Sequence, residues 1–366
     1  MLRAGIVAAL LLLAGCAGDP FAGYHDLPDA VQRPHPQAVP HTDRQGVVLS
    51  AYDPLRSMLP LGLSGALADY AAGPSRGFQA AFAADFNAVS ADPGQPLPAL
   101  LSAANGSRVQ LLVPRIETAD AALLDAGNAV LIEMPRDPMQ AGRFAATARD
   151  HAGQPVWALL PAYARGGENL IDPGQARALA FAALVHGASG LIWQGEDNYA
   201  ARNAGALGIS AAPRLDYGIT MNGADRPAPR RASAAEVAAS KRLWDAVAQL
   251  NRRISRLRGA LLQPDADVGY RLAIAEATKA VATGADAAAS GRAPVLRSLL
   301  KPWEDGWLLI VVNLQAESHD IRLAFGHGFR QAEHLDSDVR PMQDAARGLL
   351  RDRIGPYGVR LYKISR

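Results

Sequence analysis

Seven acids fall at or just after the ends of apolar runs: Asp53, Asp92, Glu117, Glu133, Asp137, Glu196 and Asp197. Two carboxylates held across a cleft can divide the roles of acid and base, or acid and nucleophile, between them. Glu133 follows "AVLI" directly and Glu196 follows "GLIWQG", so these two are the expected catalytic pair. Each has a plainer use: Glu133 in a rim salt bridge with Arg115 or Arg136, Glu196 as a helix cap or loop acid. Tyr52, Tyr163, Trp193 and Tyr199 also fall at or just after strand ends. Flat amphipathic rings there can stack on a ligand, and core packing is the alternative, most evenly balanced for Trp193. Arg115 and Arg165 can grip a ligand carboxylate bidentately or close rim salt bridges. Asp197, beside Glu196, joins the expected binding wall.

These residues need elements to carry them. From Val47 short apolar runs alternate with helical stretches: "VVLSAY", "FNAVSA", "VQLLVPRI", "AVLIEMPRD", "PVWALLPAYA" and "SGLIWQGED" as strands, with "LPALLSAANGS", "TADAALLDAGN" and "MQAGRFAATARDHAG" among the helices. Such alternation implies βα units around a parallel sheet buried on both faces. The helix before the last run has clear boundaries. Asp172 is a good N-cap, Pro173 suits the first turn, and Gly187 supplies the left-handed stop. Leu179, Ala182, Ala183 and His186 would face the sheet. A second helix opens on a capping box, Ser233 with Glu236. Its apolar stripe is Val237, Trp244, Val247, Ile254, Leu257 and Leu261, with a basic opposite face. After Pro264 the texture becomes that of short strands, "DGWLLIVVNL", "ESHDIRLAF" and "GPYGVRLYKI", and residues 268–366 read as an antiparallel β-domain.

The chain has 366 residues and a net charge of +2, too balanced to argue for nucleic acid. No G-x-S-x-G, H-E-x-x-H or phosphate-loop Gly-Lys-Ser/Thr occurs, and no metal or other cofactor is expected. The first residues, "MLRAGIVAALLLLAGC", form a secretory signal too short to span a bilayer as a mature helix. Residues 17–43 carry five prolines and no apolar period, the composition of a tether. His25, His35 and His41 within it match no usual metal spacing.

Two resemblances follow from these segments. Leu13-Ala14-Gly15-Cys16 resembles the lipobox of bacterial lipoproteins, which implies lipidation of Cys16 and removal of residues 1–15. With Ala17 rather than Asp next, the resemblance leans towards an anchor in the outer membrane, facing the periplasm. The succession "PVWALLPAY", "DPGQARALAFAALVHGASGLIWQ", "KRLWDAVAQLNRRISRLRGALL", "DGWLLIVVNL" and "IGPYGVRLYKI" resembles the end of glycoside-hydrolase-like (β/α)8 barrels with a C-terminal β-sandwich. It covers roughly residues 150–366 and implies an α/β fold, a TIM barrel over 44–265 with its ligand site at the C-terminal strand ends. Six clear strands are visible where a full barrel has eight, and the family's strand-four acid motif is absent, so a shortened or degenerate barrel fits. Two functions stand. One is hydrolysis of a polysaccharide or oligosaccharide by two carboxylates, about 5–5.5 Å apart for retention or 6.5–9.5 Å for inversion. The other is an inactive barrel that binds glycan or scaffolds an envelope assembly with a protein partner.

Overall fold

The computed structural model describes residues 24–26, 38–64, 74–90, 97–113, 123–125, 128–164, 169–195, 207–208, 233–275, 295–337 and 340–366. Strand β1 (Tyr24–Asp26) precedes a two-strand hairpin, β2 (His41–Thr42) and β3 (Val48–Leu49). Then come β4 (Leu61–Ser64), α1 (Pro74–Ala83), β5 (Ala88–Ser90), α2 (Leu97–Asn105), β6 (Gln110–Val113), β7 (Leu123–Asp125) and β8 (Val130–Glu133). The chain continues through α3 (Ala141–Asp150), β9 (Val156–Pro161), β10 (Tyr163–Ala164), α4 (Pro173–Val185), β11 (Gly190–Gln194), β12 (Leu207–Gly208) and α5 (Ala234–Leu261).

Seven of these strands form one parallel sheet in the order β7-β6-β5-β4-β11-β9-β8. The first strand, β4, lies beside the last, β11, and chain order then runs outward both ways. That is the order of a strand ring opened once, between β7 and β8. No β7–β8 pairing occurs among the described residues, so β8 is an outer strand here.

Two strands differ from the sequence reading. "VVLSAY" supplies only the short hairpin strand β3; the parallel strand is "LGLS", β4. Gly62 hides its apolar pattern, and the fold needs that glycine: a Cβ there would sit 2.5 Å from Ile192 Cδ1. "TADAALLDAGN", expected as a helix, contributes β7, because pairing with β6 (Leu111 with Leu123) overrides the helical preference of Ala and Leu. The tether is also shorter than its composition implies. Tyr24–Asp26 pairs with a strand of the C-terminal region, and His41 is fully buried in β2.

Helix α4 has the expected caps. The Asp172 carboxylate accepts from the Gly174 and Gln175 amides at 2.7 and 3.0 Å, and Gly187 has φ +95°. Its burial differs from the expected single face: Ala176 and every residue from Ala178 to Leu184 are buried. The helix lies between the sheet and the C-terminal strands, and a helix enclosed on all sides needs no polar face. Helix α5 keeps its Ser233–Glu236 capping box and buries Val247, Ile254, Leu257 and Leu261. Among the described residues no helix is long and apolar enough to cross a membrane.

The C-terminal region is antiparallel. It comprises β13 (Tyr270–Ala275), β14 (Leu296–Trp303), β15 (Gly306–Asn313), β16 (His319–Phe325), β17 (Gln331–His334), β18 (Met342–Asp344), β19 (Leu349–Ile354) and β20 (Val359–Ser365). One sheet runs β1-β13-β16-β19-β18 and the other β14-β15-β20-β17. All of β15 is buried. Leu308, Ile310 and Val312 join the core shared with α4 and α5, while Leu309 and Val311 pack with Leu272, Ile274 and Leu323 of the facing sheet.

A buried ion pair ties the end of α5 to β14. Lys301 Nζ lies 2.8 Å from Asp265 Oδ1 and donates to the Gln263 carbonyl at 2.7 Å. The lysine side chain is 2% exposed. Removing one partner strands the other charge in a dry site. Asp265→Ala should cost about 3 kcal/mol, whereas the apolar pair Asp265→Leu with Lys301→Met should cost much less. Urea unfolding of both variants checks this.

Burial also gives the fold an acid limit. The His41 imidazole is 2.7 Å from both the Val39 carbonyl and Ser57 Oγ. Burial holds it below the ordinary histidine pKa, with the Val39 contact partly opposing. Burial likewise lowers His319 and His334, against the pull of neighbouring acids. A histidine whose folded pKa is depressed contributes stability above its unfolded value, about 6.5, that is lost as pH falls through the folded value. The melting temperature should therefore drop between pH 7 and pH 5. His41→Gln should melt lower at pH 7 and show a shallower acid slope.

Candidate functional site

The parallel sheet has two faces, and the register says which residues share each. Leu61, Leu63, Leu111, Ile132, Val156, Ala158, Leu160, Leu191 and Trp193 belong to the core packed against the helices. Ala88, Trp157 and Ile192 form a separate cluster with Met58 on the opposite side. A Cβ on Gly190 would lie 2.6 Å from Trp157 Cδ1, so that ring lies over Gly190.

Glu133 belongs to the side of Trp157. It alternates with buried Ile132 and Met134, and it pairs in register with Leu159, two residues beyond Trp157. Next along the strands come Pro161 and Gln194, paired with each other, and Ser64, paired with Gln194. Ser90 ends β5, two residues beyond Ala88, which pairs with Gly62. On this side the C-terminal strand ends thus carry one exposed carboxylate on β8, an amide on β11 and hydroxyls on β4 and β5. Among the described residues the Glu133 side chain has neither an ion pair nor a hydrogen bond. The guanidinium of Arg136, one alternative partner, is instead committed to the Tyr163 carbonyl at 2.8 Å and to the Asn169 carbonyl. Gln194 Oε1 is a buried acceptor with no partner among the described residues.

Three of the expected binding aromatics can be placed. Trp193 is fully buried in the main core; alternation turns it towards the helices, opposite Ile192, so it offers no platform to a ligand. Tyr163 is 5% exposed and pairs in β10 with Gly208 of β12, leaving only a small part of its surface on a cleft beside Glu133. Tyr52 does not end a parallel strand. It packs by its hydroxyl near Gly259, in the last turn of α5, and that turn lies beside Gly187 and Ala188, which precede β11. Tyr52 is therefore at the N-terminal rim, away from Glu133. Glu196, Asp197, Tyr199, Arg115, Arg165 and Cys16 lie outside the described residues.

The sequence reading missed Gln194, Ser64 and Ser90. Period-two alternation from Ile192 points to Gln194, but no pattern marks Ser64 once Gly62 has hidden its strand.

No protein-family model matches the sequence, and no curated protein matches it. Solved structures that align with the chain include two α-amylases and a xylanase. An α-amylase from Geobacillus thermoleovorans, solved with acarbose, aligns at 11% identity over 77% of this chain and 60% of its own, with a TM-score of 0.34. An α-amylase from H. orenii aligns at 10% identity over 76% of this chain and 60% of its own, with a TM-score of 0.36. A family 30 xylanase from Clostridium acetobutylicum aligns at 10% identity over 77% and 66%, with a TM-score of 0.31. The chain spans about 60% of the length of the first of these.

Proposed function

We propose that the chain is an exported, lipid-anchored protein of glycoside-hydrolase type that acts on a polysaccharide or oligosaccharide. In this reading the parallel sheet is a barrel that closes between β7 and β8. Residues 1–15 are a signal peptide, and the lipid on Cys16 holds the domains at the outer membrane, facing the periplasm. Glu133 and Glu196 divide the roles of acid/base and nucleophile, in an order left unassigned. The observation that carries the proposal is Glu133 itself: a carboxylate at the C-terminal end of a parallel sheet, exposed, without an ion pair among the described residues, and on the same side of the sheet as Trp157. The strand order and the sequence resemblance over residues 150–366 support it.

A second reading has its own observation. Among the described residues, the other polar groups on this side of the C-terminal strand ends are Gln194, Ser64 and Ser90, which bind hydroxyls but cannot act as a second carboxylate. An inactive barrel that binds glycan, or scaffolds an envelope assembly, fits those groups. One experiment separates the two. The purified protein is incubated with neutral and acidic polysaccharides, and new reducing ends and binding are measured in parallel. Chain cleavage supports the hydrolase, binding without cleavage supports the scaffold, and neither binding nor cleavage removes both.

A further inference from the structure

A cleft of about 400 Å³ opens beside Glu133 at the end of β8. Met134 and Phe144 supply a buried apolar floor, and α3 supplies the far wall. The polar rim combines Glu133 with Arg136, Gln140, Arg143 and Thr147.

The two arginines differ. Arg136 spends its N–H groups on the Tyr163 and Asn169 carbonyls, which fixes the loop after β8 against the loop after β9. Arg143 is exposed on α3, and its guanidinium has no hydrogen bond or ion pair among the described residues. With Glu133 ionised, the two guanidiniums leave this rim one positive charge in excess. An apolar floor below a polar rim suits a pyranose ring, and an uncommitted planar guanidinium suits a carboxylate. The volume suits a ligand of one or two sugar rings.

We infer that this cleft is a subsite for an acidic sugar, a hexuronate whose carboxylate is held by Arg143 while its ring lies towards Phe144. The inference rests on the glycan reading above and narrows its substrate class. The uronate can be a free monosaccharide or a residue of an acidic polymer.

The test is calorimetric titration of the full chain with glucuronate, with a uronate oligosaccharide and with glucose, repeated for Arg143→Gln and Glu133→Gln. Arg143 is exposed, so its variant should melt like the parent. The expected result is binding of the uronates at least about tenfold tighter than glucose, with that preference lost in Arg143→Gln and weakening as salt rises. Glu133→Gln should bind uronate more tightly, because a like charge has gone. Tighter binding of the oligosaccharide than of the monosaccharide assigns the site to a polymer, and equal binding assigns it to the free sugar. Equal affinity for glucose and glucuronate, or an unchanged preference in Arg143→Gln, overturns the inference; if neutral glycans are nonetheless bound or cleaved, the glycan reading survives it. No binding of any sugar overturns both.

Discussion

Trp157→Ala should be the most damaging single substitution in the parallel sheet, costing about 3–5 kcal/mol. The ring is fully buried on the side away from the main core, in a cluster with Met58, Ala88 and Ile192. Its neighbours have already given up their volume to it. Gly190 has no Cβ because one would lie 2.6 Å from Trp157 Cδ1, and the next strand carries Gly62 where a Cβ would strike Ile192. With glycine and alanine around the site, few side chains can collapse into the hole, and the cost approaches the full cavity penalty. Trp157 Nε1 is buried with no partner among the described residues, so the polar atom adds nothing. Trp157→Phe keeps most of the volume and drops an unpaired donor, and should cost far less. Urea unfolding of the two variants checks the contrast; a loss below about 1 kcal/mol for Trp157→Ala would mean that the interior is not packed around this ring.

The same tryptophan shows why part of the site was legible in the sequence and part was not. The strands β8, β9 and β11 announce themselves as apolar runs, and the caps of α4 and α5 are written in Asp172, Pro173, Ser233 and Glu236. A parallel sheet buried on both faces, however, has no polar face to set its phase. Trp157 and Trp193 therefore look alike as text, although they pack on opposite sides of the sheet, Trp193 under the helices. At the end of its strand Trp193 reads like a ligand platform, and only the register turns it to the helices. Tyr52 differs: "VVLSAY" reads as its strand, whereas the parallel strand is Leu61–Ser64, whose apolar pattern is hidden by Gly62. Glu133 was legible because "AVLI" ends the strand directly before it, and the structure adds its facing and its open side. Arg143 carries no signal in sequence at all. It matters only because α3 folds back beside the end of β8.

The second large effect concerns that carboxylate. Glu133→Gln removes a proton-transferring group or nucleophile and preserves its shape. If Glu133 works in acid–base catalysis, kcat should fall about 10²–10⁴-fold. Glu133 is exposed and bears no ion pair among the described residues, so the melting temperature should stay where it was. That combination separates a catalytic acid from a structural one, since a rim salt bridge would show its loss in stability rather than turnover. The most direct measurement is the initial rate of new reducing ends on a polysaccharide that the parent cleaves, compared for the parent, Glu133→Gln and Glu196→Gln at matched melting temperatures. Two-carboxylate hydrolysis predicts that both variants fall at least about 100-fold while remaining folded; unchanged turnover in both contradicts it.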